Sequence, residues 1–214
     1  MENPCFSQEK DAALWTAIGI NKDFSKNFKA EVGIGYRLNN NMQIFEKAYI
    51  EAGVSYRINS FFKISADYRY ENKNNFLEDY ISERNRFTLA WQNRFKTDNF
   101  RFYWTIKYQH KFTDNYEANG VYIEYDYHLR NKFKIEYNKK KSDFTPYLFY
   151  ESYTPLDYNS VFRYGFDQHR FQIGTDYNIA KKHKLNIFFM YIADIKPEAN
   201  LQEYIYGIEY HLSL

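Results

Sequence analysis

From residue 28 to 38 every even position is apolar (Phe28, Ala30, Val32, Ile34, Tyr36, Leu38), and the odd ones read Lys29, Glu31, Gly33, Gly35 and Arg37. A repeat of two places these sets on opposite sides of an extended chain, so the stretch predicts a β-strand with one apolar and one polar face. The same parity sorts residues 48–58 and 62–70, then 87–95, 100–112, 121–137, 171–179, 185–195 and 204–214. A shorter run covers 14–20, and another opens at Phe144. No stretch has the period and caps of a helix, and the chain reads as all-β.

The connections alternate in length. Short ones rich in Asn, Lys and Ser fall near 24–27, 59–60, 96–99, 139–143 and 180–183, and longer polar ones near 39–45, 73–81, 113–120, 154–166 and 196–201. That regularity predicts an antiparallel up-and-down transmembrane β-barrel with short periplasmic turns and longer extracellular loops. Greek-key sandwiches lack it. The strands also repeat: Arg84-Asn85-Arg86-Phe87, Arg130-Asn131-Lys132-Phe133 and Gln168-His169-Arg170-Phe171 each follow a long connection, while Phe28, Phe62, Phe100 and Phe144 each follow a short one. No linker divides the chain, so residues 12–214 read as one barrel domain behind an N-terminal segment, 1–11, expected to be flexible. Eleven runs are visible, whereas bacterial barrels favour even numbers. Ten strands result if 14–20 lies outside the ring, and twelve if 130–132 is a tight turn. The alternation of connection lengths favours one continuous strand over 121–137.

Composition changes the picture in one respect. Of 214 residues 21% are aromatic, yet the mean hydropathy is −0.74. A single core does not explain both figures, but an apolar surface facing lipid and a charged interior do. A transmembrane strand needs only about 9–11 residues with every second one apolar, and no run of about 18 apolar residues is present to form a transmembrane helix. Aromatics at strand ends (Phe28, Phe62, Phe95, Phe100, Phe112, Tyr210) resemble interfacial girdles. A soluble lipid-binding barrel, with its apolar faces turned inward, is the alternative. Lys+Arg 29 against Asp+Glu 27 gives no reason to expect nucleic acid as a partner. Met1 to Lys10 has no apolar signal-peptide core, so either a leader has been removed or the start is misplaced. Cys5, the single cysteine, reads as a free thiol and excludes an internal disulfide.

Four segments carry a family resemblance: Leu14-Trp15-Thr16, the Arg-Asn-Lys-Phe-Lys-Ile-Glu-Tyr stretch at 130–137, Phe144-Thr145-Pro146-Tyr147-Leu148, and Tyr206-Gly207-Ile208-Glu209-Tyr210. From Leu14 onward the chain resembles small outer-membrane barrels of unknown function found mainly in Bacteroidetes-type Gram-negative bacteria. The resemblance implies fold and outer-membrane location. It brings no catalytic residue, ligand or mechanism.

With polar faces inward, the lumen has a basic wall: Arg84, Arg86, Arg94, Lys96, Arg101, Lys107 and Lys111. Acids fall on other walls at Glu31, Glu51, Asp67, Glu71, Glu124, Asp126, Glu151, Asp176, Asp194, Glu203 and Glu209. Mutual ion pairs filling a narrow barrel are the first expectation, and a basic, anion-favouring water path is the functional one. Tyr103, Tyr122 and Tyr147 share these faces as filler. His211 and Ser213 sit side by side on the last strand with Glu209 beside them, but on the lumen face at the short-turn end, away from lipid substrate. His169 lies near Asp167, while His110 and His128 are isolated in the sequence. No HExxH, CxxC, acidic Ca²⁺ loop or Gly-rich phosphate cradle occurs. Neither a cofactor, a metal nor catalysis is therefore expected. The sequence points to a porin-like, passive channel or uptake protein with a largely occluded lumen and outer-membrane lipids as neighbours. An accessory subunit of a larger outer-membrane complex is the alternative, and a lipid hydrolase is a remoter one.

Overall fold

Eleven strands account for the computed structural model, which describes residues 10–75, 80–117, 120–139, 142–156, 165–195 and 202–214. They are β1 (Lys10–Asp23), β2 (Phe28–Asn39), β3 (Ile44–Arg57), β4 (Phe62–Asn75), β5 (Tyr80–Lys96) and β6 (Phe100–Glu117), then β7 (Gly120–Tyr137), β8 (Phe144–Pro155), β9 (Gln168–Ala180), β10 (His183–Asp194) and β11 (Gln202–Ser213). Each pairs antiparallel with the next, and β1 closes the barrel by pairing with β11 in parallel. The strands are 12 to 18 residues long, enough to cross a bilayer when tilted.

The count, eleven, falls within the expected ten to twelve, and the ring resolves or corrects the sequence expectation at several points. Residues 14–20 belong to the ring, because β1 is in register on both sides, with Leu14 opposite Leu38 and Tyr206. Left out, it would leave the edges of β2 and β11 with rows of unpaired backbone groups. Residues 121–137 form one uninterrupted strand, as the alternation of connection lengths favours, and 130–132 is no turn. The connection expected at 39–45 is a tight turn, with Asn40, Asn41 and Met42 at positive φ. Asp11 holds that turn by accepting from the backbone N–H groups of Asn40 (2.9 Å) and Asn41 (2.8 Å). Lys10 and Asp11 are thus part of the barrel rather than of a leading segment. The connections at 73–81 and 113–120 are taken up largely by strand, β4 to Asn75 with β5 from Tyr80, and β6 to Glu117 with β7 from Gly120. Residues 1–9, which include Cys5, and the connections at 157–164 and 196–201 lie outside the described residues.

Parity decides which side faces out. Ile34, Leu89 and Ile173 are 55%, 59% and 64% exposed, whereas Arg37, Arg86 and Gln172, of opposite parity on the same strands, point inward. An apolar belt this continuous is far larger than soluble monomers expose. It is aromatic-rich, with Trp104 stacked on Phe133 (6.0 Å) and Tyr68 tilted against Phe87 (4.8 Å). A barrel with apolar faces turned inward does not fit this arrangement.

The interior is not uniformly charged. Ala13, Phe188, Met190, Ile192 and Ile205 form a buried apolar cluster on the inner face of β1, β10 and β11, with Trp15 against it. On β10 both parities are apolar over 187–192, so an inward row was hidden behind the outward one. Three aromatic rings on inner faces lie flat over the glycine directly opposite: Tyr49 over Gly35, Tyr147 over Gly174 and Phe188 over Gly207. Each glycine leaves the space a ring needs to lie along the wall of a narrow barrel.

Candidate functional site: the charged lumen

Adjacent strands bring residues of opposite charge into single rows. Glu51 of β3, Arg69 of β4 and Arg86 of β5 are successive partners across the sheet. Glu51 accepts from Arg69 Nε (2.7 Å) and Arg86 Nη2 (3.1 Å). One carboxylate thus holds two guanidiniums, and Arg69 also stacks on Tyr49 at 3.7 Å. Such buried charges persist because each is paired and hydrogen-bonded.

A second node lies on β6, β7 and β8. Arg130 donates to Glu151 (2.8 Å) and to Gln109 (2.8 Å), and Lys107 Nζ is 3.5 Å from the other Glu151 oxygen. Glu151 is 2% exposed and Arg130 8%. Arg130 and Arg170 also lie over the Tyr153 ring, at 4.3 and 4.4 Å. Towards the short turns, Lys132 caps Phe149 (3.6 Å), and Gln172 and Asn186 donate to the Tyr147 hydroxyl (2.7 and 2.9 Å).

The third node was not legible in the sequence. His128 stands between two carboxylates, with Nε2 2.6 Å from Asp167 and Nδ1 2.8 Å from Asp126, and Asp126 also pairs with Lys111. Asp167 is buried, and its main chain ties β8 to β10 by bonding Tyr153 and Ile195. His128 is therefore not isolated. His169 is not the partner of Asp167: its Nδ1 meets the Tyr150 hydroxyl at 2.7 Å.

Together these nodes border a cavity of about 410 Å³ in the long-connection half of the lumen. Its lining contains nine Lys and Arg side chains and six Asp and Glu side chains. Arg37, Arg84 and Arg170 have no carboxylate within ion-pair distance among the described residues, and Arg37 is stacked on Trp15 at 3.5 Å instead.

The sequence of this barrel matches one family over residues 12–201, a family described as "Protein of unknown function (DUF2490)". The chain belongs to it. No curated protein matches this DUF2490 chain. Among solved structures it resembles the β domain of the Bordetella autotransporter BrkA, with a TM-score of 0.52 at 12% identity, covering 79% of this chain and 78% of that one. At that identity the likeness is one of fold.

Within the DUF2490 barrel the expected basic wall is split. Arg84, Arg86, Lys107 and Lys111 line the cavity. Arg94, Lys96 and Arg101 lie at the short-turn rim, where Arg94 donates to the Ser60 carbonyl (2.9 Å) and Arg101 is 3.8 Å from Glu136. Of the acids, Glu51, Asp67, Glu71, Asp126 and Asp194 line the cavity, and Glu151 lies beside it. Asp176 is bound to Asn186 (2.8 Å) nearer the short turns. Glu31 and Glu124 are exposed towards opposite ends, while Glu203 and Glu209 face inward on β11. Tyr103 donates to Glu136 (3.0 Å). Ser213 donates to Asn21 (3.2 Å), and His211 Nε2 is 3.7 Å from Glu209. Arg37, Lys47, Arg69, Arg130, Arg170 and Asp167 complete the charged lining of the cavity and were missed. The five cations carry the polar parity of their strands, which was the available signal; Asp167 precedes its strand and carried none.

Proposed function

We propose that this DUF2490 protein is a non-enzymatic outer-membrane barrel of a Gram-negative bacterium that admits small anions through a narrow, charged lumen, as a passive channel or uptake protein. The apolar exterior and the fold likeness support the membrane placement. One observation carries the anion preference: the cavity lining holds more cations than acids, and Arg84 sits in it without an ion-pair partner among the described residues. Charge of one sign along a lumen favours the opposite ion. Engagement of the Ser213 hydroxyl by Asn21 favours a structural role for the last strand over a hydrolytic one. The test is single-channel recording in planar bilayers with a salt gradient. Current with an anion-selective reversal potential is expected, and a cation-selective current overturns the proposal.

A second reading, an accessory subunit of a larger outer-membrane complex, is favoured by the buried Arg130–Glu151–Lys107 node projecting into the lumen. An inserted barrel that carries no current in the same recordings selects it.

A further inference from the structure

Among the described residues seven Lys and Arg side chains are exposed, and all seven lie at the short-turn end of the barrel. Lys22 and Lys26 flank the β1–β2 turn, Arg57 ends β3, Lys96 ends β5, Lys139 follows β7, and Lys181 and Lys182 form the β9–β10 turn. Every short turn contributes at least one. None has a carboxylate within ion-pair distance among the described residues. Four exposed acids, Asp23, Glu31, Asp98 and Asp143, share this end. Charge at this end is thus uncompensated, whereas that of the lumen is mostly paired.

Just inside the charged ring lies an aromatic one. Phe24, Phe61, Phe95 and Phe144 are each more than half exposed. They pair around the rim: Phe24 with Phe28 (5.9 Å), Phe61 with Phe95 (6.4 Å), Phe100 with Tyr137 (5.2 Å) and Phe144 with Tyr177 (4.6 Å). Lys22 Nζ lies 5.5 Å from the Phe24 ring. Aromatic side chains settle at the boundary between hydrocarbon and headgroups, and a flexible lysine beside them carries its ammonium outward to phosphate depth.

We infer that the short-turn rim is a binding ring for the headgroups of anionic phospholipids. The inference rests on the membrane placement proposed above and not on what the lumen conducts. Zwitterionic headgroups bring their own cation and leave the excess of seven against four unanswered, whereas phosphatidylglycerol supplies a net negative charge at the depth the ring reaches. The aromatic girdle fixes that depth, and attraction to an anionic leaflet falls off within a Debye length, so the charged ring must lie at headgroup depth to act.

The test refolds the full chain into vesicles of phosphatidylcholine alone and of phosphatidylcholine with roughly 30% phosphatidylglycerol, then measures the lipid retained after mild detergent extraction by native mass spectrometry. Insertion into both is expected, with the ratio of phosphatidylglycerol to phosphatidylcholine in the retained lipid about tenfold above the bulk ratio at low salt and the enrichment collapsing at high salt. A quadruple Lys22→Gln, Lys26→Gln, Lys181→Gln, Lys182→Gln variant is expected to insert into phosphatidylcholine like the parent and to lose the enrichment. Insertion with lipid retained in bulk proportion, enrichment indifferent to salt, or enrichment unchanged in the variant each overturns the inference. Failure to insert into either vesicle overturns the membrane placement itself. If the variant does not fold, the salt dependence of the parent still decides.

Discussion

Phe188 and Gly207 are direct partners across β10 and β11, and the phenyl ring occupies the space that a side chain at 207 would take. Gly207→Ala places a methyl group inside that ring, and the ring has no free volume to enter because Met190, Ile192 and Ile205 are packed beside it. The substitution is expected to cost about 1–3 kcal/mol, the usual penalty of overpacking a filled core. Urea unfolding of the barrel refolded in bilayers checks it.

Glu151 and Arg130 make a sharper pair of outcomes. Arg130→Met leaves Glu151 buried beside Lys107 alone, and loss of one partner of a buried ion pair costs about 3–5 kcal/mol. Replacing the whole node at once, Lys107→Met and Arg130→Met with Glu151→Leu, is expected to cost less than the single change, because no orphan charge remains. The same unfolding measurement separates the two.

Arg84 and Arg86 lie on one face of β5 but are held differently. Arg84→Gln removes a charge that no described carboxylate accepts, so stability is expected to stay within about 0.5 kcal/mol of the parent. The anion preference of the reversal potential is expected to fall. Arg86→Gln takes a donor from Glu51 and is expected to lower stability as well. Recording and unfolding on the same two preparations test both statements.

The closure has its own test. Thr16 on β1 is in register with Ile208 on β11. A Thr16→Cys, Ile208→Cys variant is expected to form an intramolecular disulfide under mild oxidation, visible as a mobility shift that reductant reverses. Thr16→Cys with Tyr204→Cys, displaced by four residues, is expected not to form it.

How far the sequence reaches can be judged residue by residue. Parity alone put Glu51, Asp67, Arg86 and Lys111 on one side of their strands, since a one-residue slip would move every apolar side chain to the wrong face. It could not say that Glu51 holds Arg69 and Arg86, because that depends on which strands are neighbours and at what stagger. His128 and Asp167 belong to different strands or strand ends and no local pattern links them. The inner row of Phe188, Met190 and Ile192 was lost for another reason: alternation is a contrast, and where both faces of a strand are apolar the contrast vanishes. Strand number stayed between ten and twelve in the sequence because the even counts of bacterial barrels stood against the eleven runs that parity shows, and the ring has eleven.

Of the eleven strand pairings, ten join a strand to the next one along the chain; only the parallel seam joins the first to the last. The ten can form in turn, each closing a short loop, whereas the seam must bring together residues as distant as Lys10 and Gln202. Its slanted parallel hydrogen bonds are also the weaker kind per residue. The inward cluster of Ala13, Phe188, Met190, Ile192 and Ile205 gathers at this join. A ring assembled hairpin by hairpin stays an open ribbon until its ends meet, so those five side chains act as the clasp that turns the ribbon into a vessel.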